Sequence, residues 1–309
     1  MNVLIVGGTG FVGTHLTRCL LQKGHRVQVL SRQGTGSVSG ARYIRGNAAT
    51  GEGLAPAMKD AEAVIYLVAI IRERGDQTFQ QAIVEGTRNT LEAVRAARVR
   101  RYLHMSALGA ARGTGSRYFE AKAEAEERVR DSGLDWTIFR PSLIFGEGDD
   151  FFAGVLRGLV QGGSQNGLWY PPLPVIPLIG DGHFPFRPVW VGDVSETFAQ
   201  ALEKPQTIGQ TYELVGPQEY TFRELVLRVR DALGSRKPLL PIPIFLMDLA
   251  LPLLSRIPGF PLTLDQYRML KVGNTAEPTA MRQVFDLEWR SLEMELPIIL
   301  KKSAHLAAG

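Results

Sequence analysis

The sequence contains a single cysteine, Cys19, so no disulfide can form within the chain. Nothing in the composition requires an oxidising compartment, and we expect a cytoplasmic protein. The five histidines lack metal-ligand spacing, and with one cysteine we predict no metal site. No charge of one sign dominates, because the chain has 35 basic and 31 acidic residues, and the basic excess is spread along it. This balance gives no indication of nucleic-acid binding.

Long apolar runs are also missing. The most apolar tract, residues 239–254, is interrupted by Asp248 and contains three prolines. It falls short of the roughly 20 apolar residues that a membrane-spanning helix needs. We interpret this tract as core, with a docking face for a partner or a membrane surface as the alternative. The apolar stretch after Met1 ends in glycines rather than at a cleavage site, so we expect no secretory signal.

The 309 residues, 45% hydrophobic and 21% charged, have the composition of a globular protein of one or two domains. Their first half alternates short β-branched runs with helical patterns, which is typical of βαβ units. We predict an α/β fold, with a Rossmann-type doubly wound parallel sheet. The six strands are expected at residues 3–6, 27–30, 43–44, 64–68, 102–105 and 137–139.

Glycine and proline become frequent after Gly146. Residues 161–188 contain so many of both that we predict a long ordered loop there. Asp149 and Asp150, adjacent in a turn-like stretch, are interpreted as a solvated corner. A strand at 189–191, a helix at 193–202 and a strand at 212–215 are expected to return to the sheet.

These patterns predict two functional parts. An NADP(H)-binding Rossmann domain would comprise residues 1–146, with the returning strand and helix near 187–216. A smaller, mainly helical C-terminal lobe would comprise residues 147–186 and 217–309 and would bind substrate or dock to a partner.

Glycines cluster between the first predicted strand and the first predicted helix, in Gly7-Gly8-Thr9-Gly10-Phe11-Val12-Gly13. Glycine there permits a tight turn, close approach of a pyrophosphate to the main chain, and close helix–strand packing. The free N–H groups at the helix start can then meet the phosphate charge. We predict that residues 7–13 bind a dinucleotide, the alternative being a glycine-rich turn without a ligand. A P-loop is excluded because no Gly-Lys-Ser/Thr follows.

The second predicted strand ends with Leu30-Ser31-Arg32. An NAD-preferring domain would place Asp or Glu at this point. Here no carboxylate repels a 2′-phosphate, and the guanidinium of Arg32 can form a forked contact with it. We therefore predict that Ser31 and Arg32 contact the cofactor and that NADP(H) is favoured over NAD(H). The alternative is that Arg32 is a solvated loop residue.

Ser106 directly follows the fifth predicted strand, and Tyr118 and Lys122 follow in the next predicted helix. Residues 118 and 122 are one helical turn apart, so phenol and ammonium share a face. A nearby cation lowers a tyrosine pKa and makes the phenol usable for proton transfer to or from a carbonyl or alcohol oxygen. Ser106 could donate a hydrogen bond to the same oxygen.

Together, several motifs resemble the short-chain dehydrogenase/reductase superfamily in its extended or atypical branch. A tail segment, residues 258–266, is similar to bacterial relatives of the nucleotide-binding accessory subunit of respiratory complex I. The motifs are residues 7–13, Val84-Glu85-Gly86-Thr87-Arg88-Asn89, the Ser106, Tyr118 and Lys122 set, Arg140-Pro141-Ser142 and residues 188–194.

The resemblance implies that Tyr118 is the acid/base, that Lys122 holds the nicotinamide ribose, and that Ser106 orients the substrate oxygen. It also implies contacts along the cofactor. Gly46-Asn47 would flank the adenine, with Ala48 beside it, Val68-Ala69 would lie along the adenosine ribose, and Pro141-Ser142 would contact the nicotinamide.

Two functions remain open. The first is an NADP(H)-dependent oxidoreductase or epimerase acting on an unidentified small molecule, which the Ser106, Tyr118 and Lys122 set favours. The second is a protein that holds NADP(H) in a structural, assembly or redox-sensing role and docks to a membrane-associated complex through its C-terminal lobe. Ile83, where many family members carry a relay asparagine, favours the second. In that case the protein would be peripheral to the inner membrane.

Overall fold

The computed structural model describes residues 1–165, 167–257 and 259–306. The strands are β1 (Asn2–Val6), β2 (Arg26–Ser31), β3 (Arg42–Arg45), β4 (Ala63–Tyr66), β5 (Arg101–Met105), β6 (Asp135–Pro141), β7 (Ile144–Phe145), β8 (Gly163–Gln165), β9 (Leu168–Tyr170), β10 (Ile176–Ile179), β11 (Pro185–Phe186), β12 (Val189–Trp190), β13 (Gln210–Leu214), β14 (Tyr220–Thr221) and β15 (Leu239–Ile242). The α-helices are α1 (Phe11–Gln22), α2 (Leu54–Ala57), α3 (Gly86–Ala96), α4 (Arg117–Arg130), α5 (Arg157–Gln161), α6 (Val191–Glu203), α7 (Phe222–Ala232), α8 (Ile244–Leu254), α9 (Leu264–Val272), α10 (Thr279–Val284) and α11 (Leu292–Leu306). Two π-helical turns cover Gln80–Glu85 and Phe151–Leu156.

The chain forms two compact units. The first unit contains Met1–Pro141, Val191–Leu214 and Glu277–Glu288. The second contains Ser142–Trp190, Val215–Ala276 and the described residues from Trp289 onward.

The first unit is built on one parallel sheet. Within the described residues it has seven strands in the order β13-β6-β5-β4-β1-β2-β3. The six strands predicted from the first half are all present, and the strand expected near 212–215 adds the seventh as β13. This order reverses direction at β1, so the predicted Rossmann-type doubly wound fold is confirmed.

Helices cover both faces of this sheet, because its central strands are apolar on both sides. Helices α1 and α6 pack together on one face. On the other, α2, α3 and α4 cover a core that includes Leu4, Val6, Leu91, Val94 and Val129. Successive residues of β1 thus point to opposite faces of the sheet.

One correction concerns Glu277–Glu288, which the sequence analysis placed in the C-terminal lobe. The structure assigns this segment to the first unit. The reason is aromatic packing, since the ring of Phe285 lies 5.1 Å from that of Tyr212 and 6.1 Å from that of Phe139. Lys204 also donates a hydrogen bond to the carbonyl of Val284.

The strand predicted at 189–191 does not join the central sheet, which corrects that prediction. Only Val189 and Trp190 are extended, and they pair in parallel with β7 inside the second unit. The strand is this short because α6 begins at Val191.

The second unit has its own core, formed by β10, α5, α7, α11 and the second π-helical turn. Residues 161–188, predicted as a loop, contain four short strands: β8 pairs with β9, β10 with β15, and β11 with β14. That prediction was therefore wrong in detail. Pro177 lies within β10, where the two-stranded ladder tolerates a residue without an N–H donor.

Asp149, interpreted from the sequence as part of a solvated corner, is instead buried. Its Oδ1 accepts a hydrogen bond from the main-chain N–H of Phe152, 2.6 Å away, and so caps the π-helical turn. Burial raises the pKa of this carboxyl to about 7. This contact with the start of the π-helical turn explains why Asp149 is buried, although the sequence predicted an exposed residue.

Candidate functional site

The glycine turn between β1 and α1 is tightly constrained. Gly7 has φ +90°, a conformation that side chains rarely adopt. A Cβ on Gly13 would lie 2.5 Å from the Cα of Gly8, and one on Gly8 would lie 2.8 Å from Val29 Cγ1. The turn therefore packs directly against the strands and needs glycine at these three positions.

Helix α1 begins at Phe11, and Gly10 precedes it without any side-chain cap. The first N–H groups of a helix have no intrahelical partners, so these donors are available to an anion. Thr9 and Gly10 are exposed, and a Cβ on Gly10 would meet only the Gly7 carbonyl at an ordinary 3.6 Å. Bare main chain next to a helix N-terminus fits the pyrophosphate of a dinucleotide.

The ends of β2 and β3 lie beside each other, with Ser31 in register with Arg45. Ser31 is buried, and its Oγ accepts a hydrogen bond from the main-chain N–H of Gly34 and donates one to the carbonyl of Thr35. Arg32 is exposed. Ser31 thus shapes the loop, and Arg32 and Arg45 present two cations at this edge. The sequence analysis missed Arg45, although its position at the end of a predicted strand was a usable signal.

The loop after β3 is held by side-chain hydrogen bonds. Asn47 Oδ1 accepts from the main-chain N of Ala49 at 3.0 Å. Asn89, on α3, donates from Nδ2 to the carbonyls of Ala48 and Ala49 at 3.0 and 2.9 Å. Asn89, the last residue of the motif 84–89, therefore holds the loop that carries the predicted adenine contacts. The sequence did not show this role.

Val68 and Ala69 follow β4 and come close to the glycine turn. A Cβ on Gly7 would lie 3.0 Å from Val68 Cγ2, so the two segments are in contact. Ala69 is exposed. The carboxyl ends of β1, β2, β3 and β4 thus bring most predicted cofactor contacts to one edge of the sheet, as expected for a parallel arrangement.

Helix α4 carries Tyr118 and Lys122. Ser116 caps its start by accepting a hydrogen bond from Phe119 N. Lys122 Nζ lies 6.0 Å from the centre of the Tyr118 ring. It is fully buried and donates a hydrogen bond to the carbonyl of Met105 at 2.9 Å. Burial lowers the pKa of Lys122 to about 8, although the nearby Glu126 carboxylate opposes this shift.

Ser106 follows β5 and is also buried. Its main-chain N donates to the carbonyl of Phe139 at 2.7 Å, which fixes its place next to β6. Within the described part of the chain, Ser106 Oγ has no hydrogen-bond partner of good geometry. The hydroxyl is nevertheless near enough to Glu126 to lower the pKa of that carboxyl.

Glu126 is a buried acid that the sequence analysis missed. It lies one turn beyond Lys122 and accepts hydrogen bonds at 2.6 Å from both Arg130 and Arg140. Burial pushes the pKa of Glu126 upward, but the hydrogen bonds from Arg140 and Arg130, together with the nearby Ser106 hydroxyl, outweigh it and hold the pKa below its usual value. The i, i+4, i+8 spacing of Tyr118, Lys122 and Glu126 was the signal that could have found it.

Pro141 ends β6 and accepts a hydrogen bond from Leu108 N at 2.9 Å. Ser142 belongs to the second unit, where its Oγ donates to the carbonyl of Asn274 at 2.8 Å. In the tail segment, Pro258 lies outside the described residues, and Thr263 caps α9 through a capping box with Gln266. The cofactor and catalytic roles of all these residues stay predictions.

Two kinds of feature are absent from the described residues. No group of three or more His, Cys, Asp or Glu side chains is arranged to bind a metal ion in that part of the chain. None of the described helices combines the length and apolar character needed to cross a bilayer.

Comparisons with known proteins agree with this geometry. Residues 7–151 match a family model described as NAD(P)H-binding. The chain is 30% identical over 258 residues to NADH dehydrogenase (ubiquinone) 1 alpha subcomplex subunit 9, mitochondrial, of Arabidopsis thaliana, covering 78% of this chain and 60% of the plant protein. The matched part therefore spans less than two thirds of that relative.

A second relative is the ceramide reductase of Caulobacter vibrioides, 33% identical over 159 residues and 50% of each chain. Among solved structures, the UDP-glucose 4-epimerase of Thermus thermophilus in complex with NAD has a TM-score of 0.69 at 20% identity, covering 98% of this chain and 99% of the other. This likeness shows a shared fold. Residues 7–151 therefore resemble an NAD(P)H-binding domain, and the predicted resemblance to the short-chain dehydrogenase/reductase superfamily and to an accessory subunit of respiratory complex I is confirmed.

Proposed function

We propose that the protein is an NADP(H)-dependent oxidoreductase or epimerase-type enzyme acting on a carbonyl or alcohol group of a small molecule. The observation that carries this proposal is the placement of Tyr118 and Lys122 on one face of α4, with Lys122 bonded to the end of β5 just before Ser106. The same unit contains the glycine turn. Carbonyl reduction requires an acid/base group together with a dinucleotide cofactor, and this unit contains candidates for both.

Each residue has a distinct role in this proposal. When bound, the nicotinamide supplies or accepts a hydride. The Tyr118 phenol gives a proton to the carbonyl oxygen, or, in the reverse direction, its phenolate takes one from the alcohol. The Lys122 ammonium favours the negative charge that develops on the phenol, and Ser106 Oγ donates a hydrogen bond to the reacting oxygen. Among the described residues, Ser106 Oγ has no hydrogen-bond partner of good geometry, which supports this last role.

NADP(H) is the proposed cofactor, because two exposed arginines lie at the carboxyl ends of adjacent strands: Arg32 directly follows β2 and Arg45 ends β3. Guanidinium groups suit a 2′-phosphate, which NAD(H) lacks. The proposed cofactor contacts are the glycine turn, Ser31, Arg32, Asn47, Ala48, Val68, Ala69, Lys122, Pro141 and Ser142. The second unit is the proposed substrate or docking lobe.

Hydride exchange tests this function. Purified protein is incubated with NADPH deuterated at the transferable position and a panel of carbonyl compounds, beside Tyr118→Phe. We expect deuterium transfer by the wild type and its loss in the variant, while NADPH still raises the melting temperature of both. Equal transfer by both proteins would contradict the acid/base role of Tyr118.

The second candidate is a protein that holds NADP(H) without turnover in a structural, assembly or redox-sensing role. Ile83 favours it, because this fully buried aliphatic residue in a π-helical turn cannot relay a proton. The similarity to a subunit of NADH dehydrogenase also supports it and would make the protein peripheral to a membrane complex rather than free in the cytoplasm. NADPH binding without transfer in either protein, across the whole panel, would favour this candidate.

A further inference from the structure

Helix α8 in the second unit presents an apolar stripe to solvent. Phe245, Leu249 and Leu253 are 68%, 75% and 67% exposed. They are spaced four residues apart, so they line one face of the helix. Monomeric proteins rarely leave a continuous apolar surface of this kind uncovered. The stripe therefore needs a binding partner.

The side of α8 opposite the stripe contacts the rest of the second unit, which fixes the direction of the stripe. Leu251 is fully buried. Tyr267, on α9, donates a hydrogen bond to Asp248 Oδ1 at 2.8 Å, and Lys271 forms an ion pair with the same atom at 2.9 Å. The exposed stripe is thus held outward by contacts on the other side of the helix.

The exposed apolar surface continues beyond the helix. Ile257 follows α8 and is exposed, and so is Trp169 on β9. The main-chain N of Trp169 donates to the carbonyl of Gly259 at 3.2 Å, which joins the β8–β9 hairpin to the segment after α8. We call Phe245, Leu249, Leu253, Ile257 and Trp169 the α8 face. A tryptophan at its edge suits a membrane interface, where indole rings concentrate.

The charge of the residues around α8 indicates what binds to the α8 face. Residues 236–272, which contain α8, include five basic and two acidic residues. One of the acids, Asp248, is neutralised by Lys271, and Arg236 and Arg256 are exposed. A surface that combines apolar side chains with excess positive charge complements anionic lipid head groups. Two copies of this chain packed through the α8 face would instead bring like charges together.

We propose that the α8 face binds the surface of bilayers that contain anionic phospholipids, with α8 lying in the interface. At 11 residues, α8 is too short to span the hydrocarbon core. The side chains of the α8 face enter the boundary between head groups and acyl chains, and the basic residues remain among the phosphates. This inference is independent of the proposed enzymatic activity.

Vesicle sedimentation of the full chain tests it, with large vesicles of phosphatidylcholine alone or mixed with phosphatidylglycerol. We expect binding to the mixed vesicles that weakens with salt, and little binding to phosphatidylcholine. The variant Phe245→Gln/Leu249→Gln should lower the partition coefficient by about tenfold or more, since two apolar side chains no longer enter the bilayer. Trp169 fluorescence, assigned with Trp169→Phe, should shift to the blue on binding.

The matched control is Met294→Gln/Ile298→Gln, which replaces two exposed apolar residues four positions apart on α11 of the same unit. It should bind like the wild type. Equal binding by the Phe245→Gln/Leu249→Gln variant, equal binding to both vesicle types, or no vesicle binding would overturn the proposal. A wild-type dimer that this variant converts to a monomer, without vesicle binding, would assign the face to a second copy instead.

Discussion

The ammonium of Lys122 lies 2.9 Å from the carbonyl oxygen of Met105, the residue before Ser106. This hydrogen bond joins α4 to the end of β5 and so links the two elements that carry the proposed catalytic residues. It also holds a cation in a fully buried position, where charge is costly. The pKa of Lys122, lowered by burial to about 8, reports that cost.

The first prediction concerns the pH dependence of stability. The pKa of Lys122 is about 8 in the folded protein and 10.5 ordinarily, so between these pH values the unfolded chain binds more protons. The cost of burying the charge is complete below pH 8 and is relieved as pH rises to 10.5. Lys122→Met should remove a rise in the free energy of unfolding on the order of 3 kcal/mol across this window, measured by urea denaturation.

The control for this measurement is Lys59→Met, at an exposed lysine of the same unit. It should leave the pH profile of the wild type unchanged. Identical profiles for Lys122→Met and the wild type would show that Lys122 is not buried as a cation.

The second prediction concerns Glu126, which pairs with Arg130 and Arg140 while fully buried. Glu126→Gln should reduce the free energy of unfolding by about 3 kcal/mol, because the arginines lose a buried counter-charge. The lowered pKa of Glu126 means that its stabilising contribution is present above its usual value of 4.5 and is lost as pH falls through the folded value. The difference between wild type and variant should therefore shrink in acid.

Glu124→Gln, two residues earlier on the same helix, is the matched control. Glu124 is partly exposed and pairs with Arg112 and Arg128. Partly exposed pairs contribute up to about 1 kcal/mol. A larger loss for Glu124→Gln than for Glu126→Gln, in urea denaturation at neutral pH, would contradict the role given to burial.

The third prediction separates folding from cofactor binding within the glycine turn. Gly13→Ala should destabilise the protein by about 1–3 kcal/mol, because its Cβ would overlap the main chain of Gly8. Gly10→Ala has room for its Cβ and a compatible φ of −76°, so stability should stay close to wild type. It should still weaken NADPH binding, because a methyl group would occupy the approach to the main chain. Calorimetric unfolding and NADPH titration measure the two effects, and unchanged affinity in Gly10→Ala would argue against a phosphate site there.

The fourth prediction concerns cofactor preference. Arg32→Ala should weaken NADPH binding by about tenfold or more, because a charge-assisted contact to the 2′-phosphate is lost. NADH binding should change little. Arg42→Ala, at the opposite end of β3, removes another exposed arginine and should affect neither cofactor. Equal losses of NADPH and NADH affinity in Arg32→Ala, by isothermal titration, would refute the assignment.

Local patterns were sufficient for much of the fold and part of the candidate site. The glycine turn lies between β1 and α1 as predicted, because apolar periodicity and glycine spacing are properties of neighbouring residues. The i, i+4 spacing likewise placed Tyr118 and Lys122 on one helical face. Short strands such as β8 and β11 were missed because two or three residues among glycines or prolines have no detectable period.

Long-range packing decided the features of the fold and of the candidate site that local patterns did not predict. Glu126 lies in a stretch of charged residues typical of a solvated helix face, and only its pairing with Arg140 from β6 explains its burial. Phe285 likewise carries no local sign of belonging to the first unit, where it packs against Tyr212. Residue order and spacing thus determined the parallel sheet, the glycine turn and the helical face with its phenol and ammonium. Contacts between distant segments decided which charges are buried and left the α8 face exposed. The reason is that desolvation depends on the folded surroundings of a residue and not on its neighbours in the sequence.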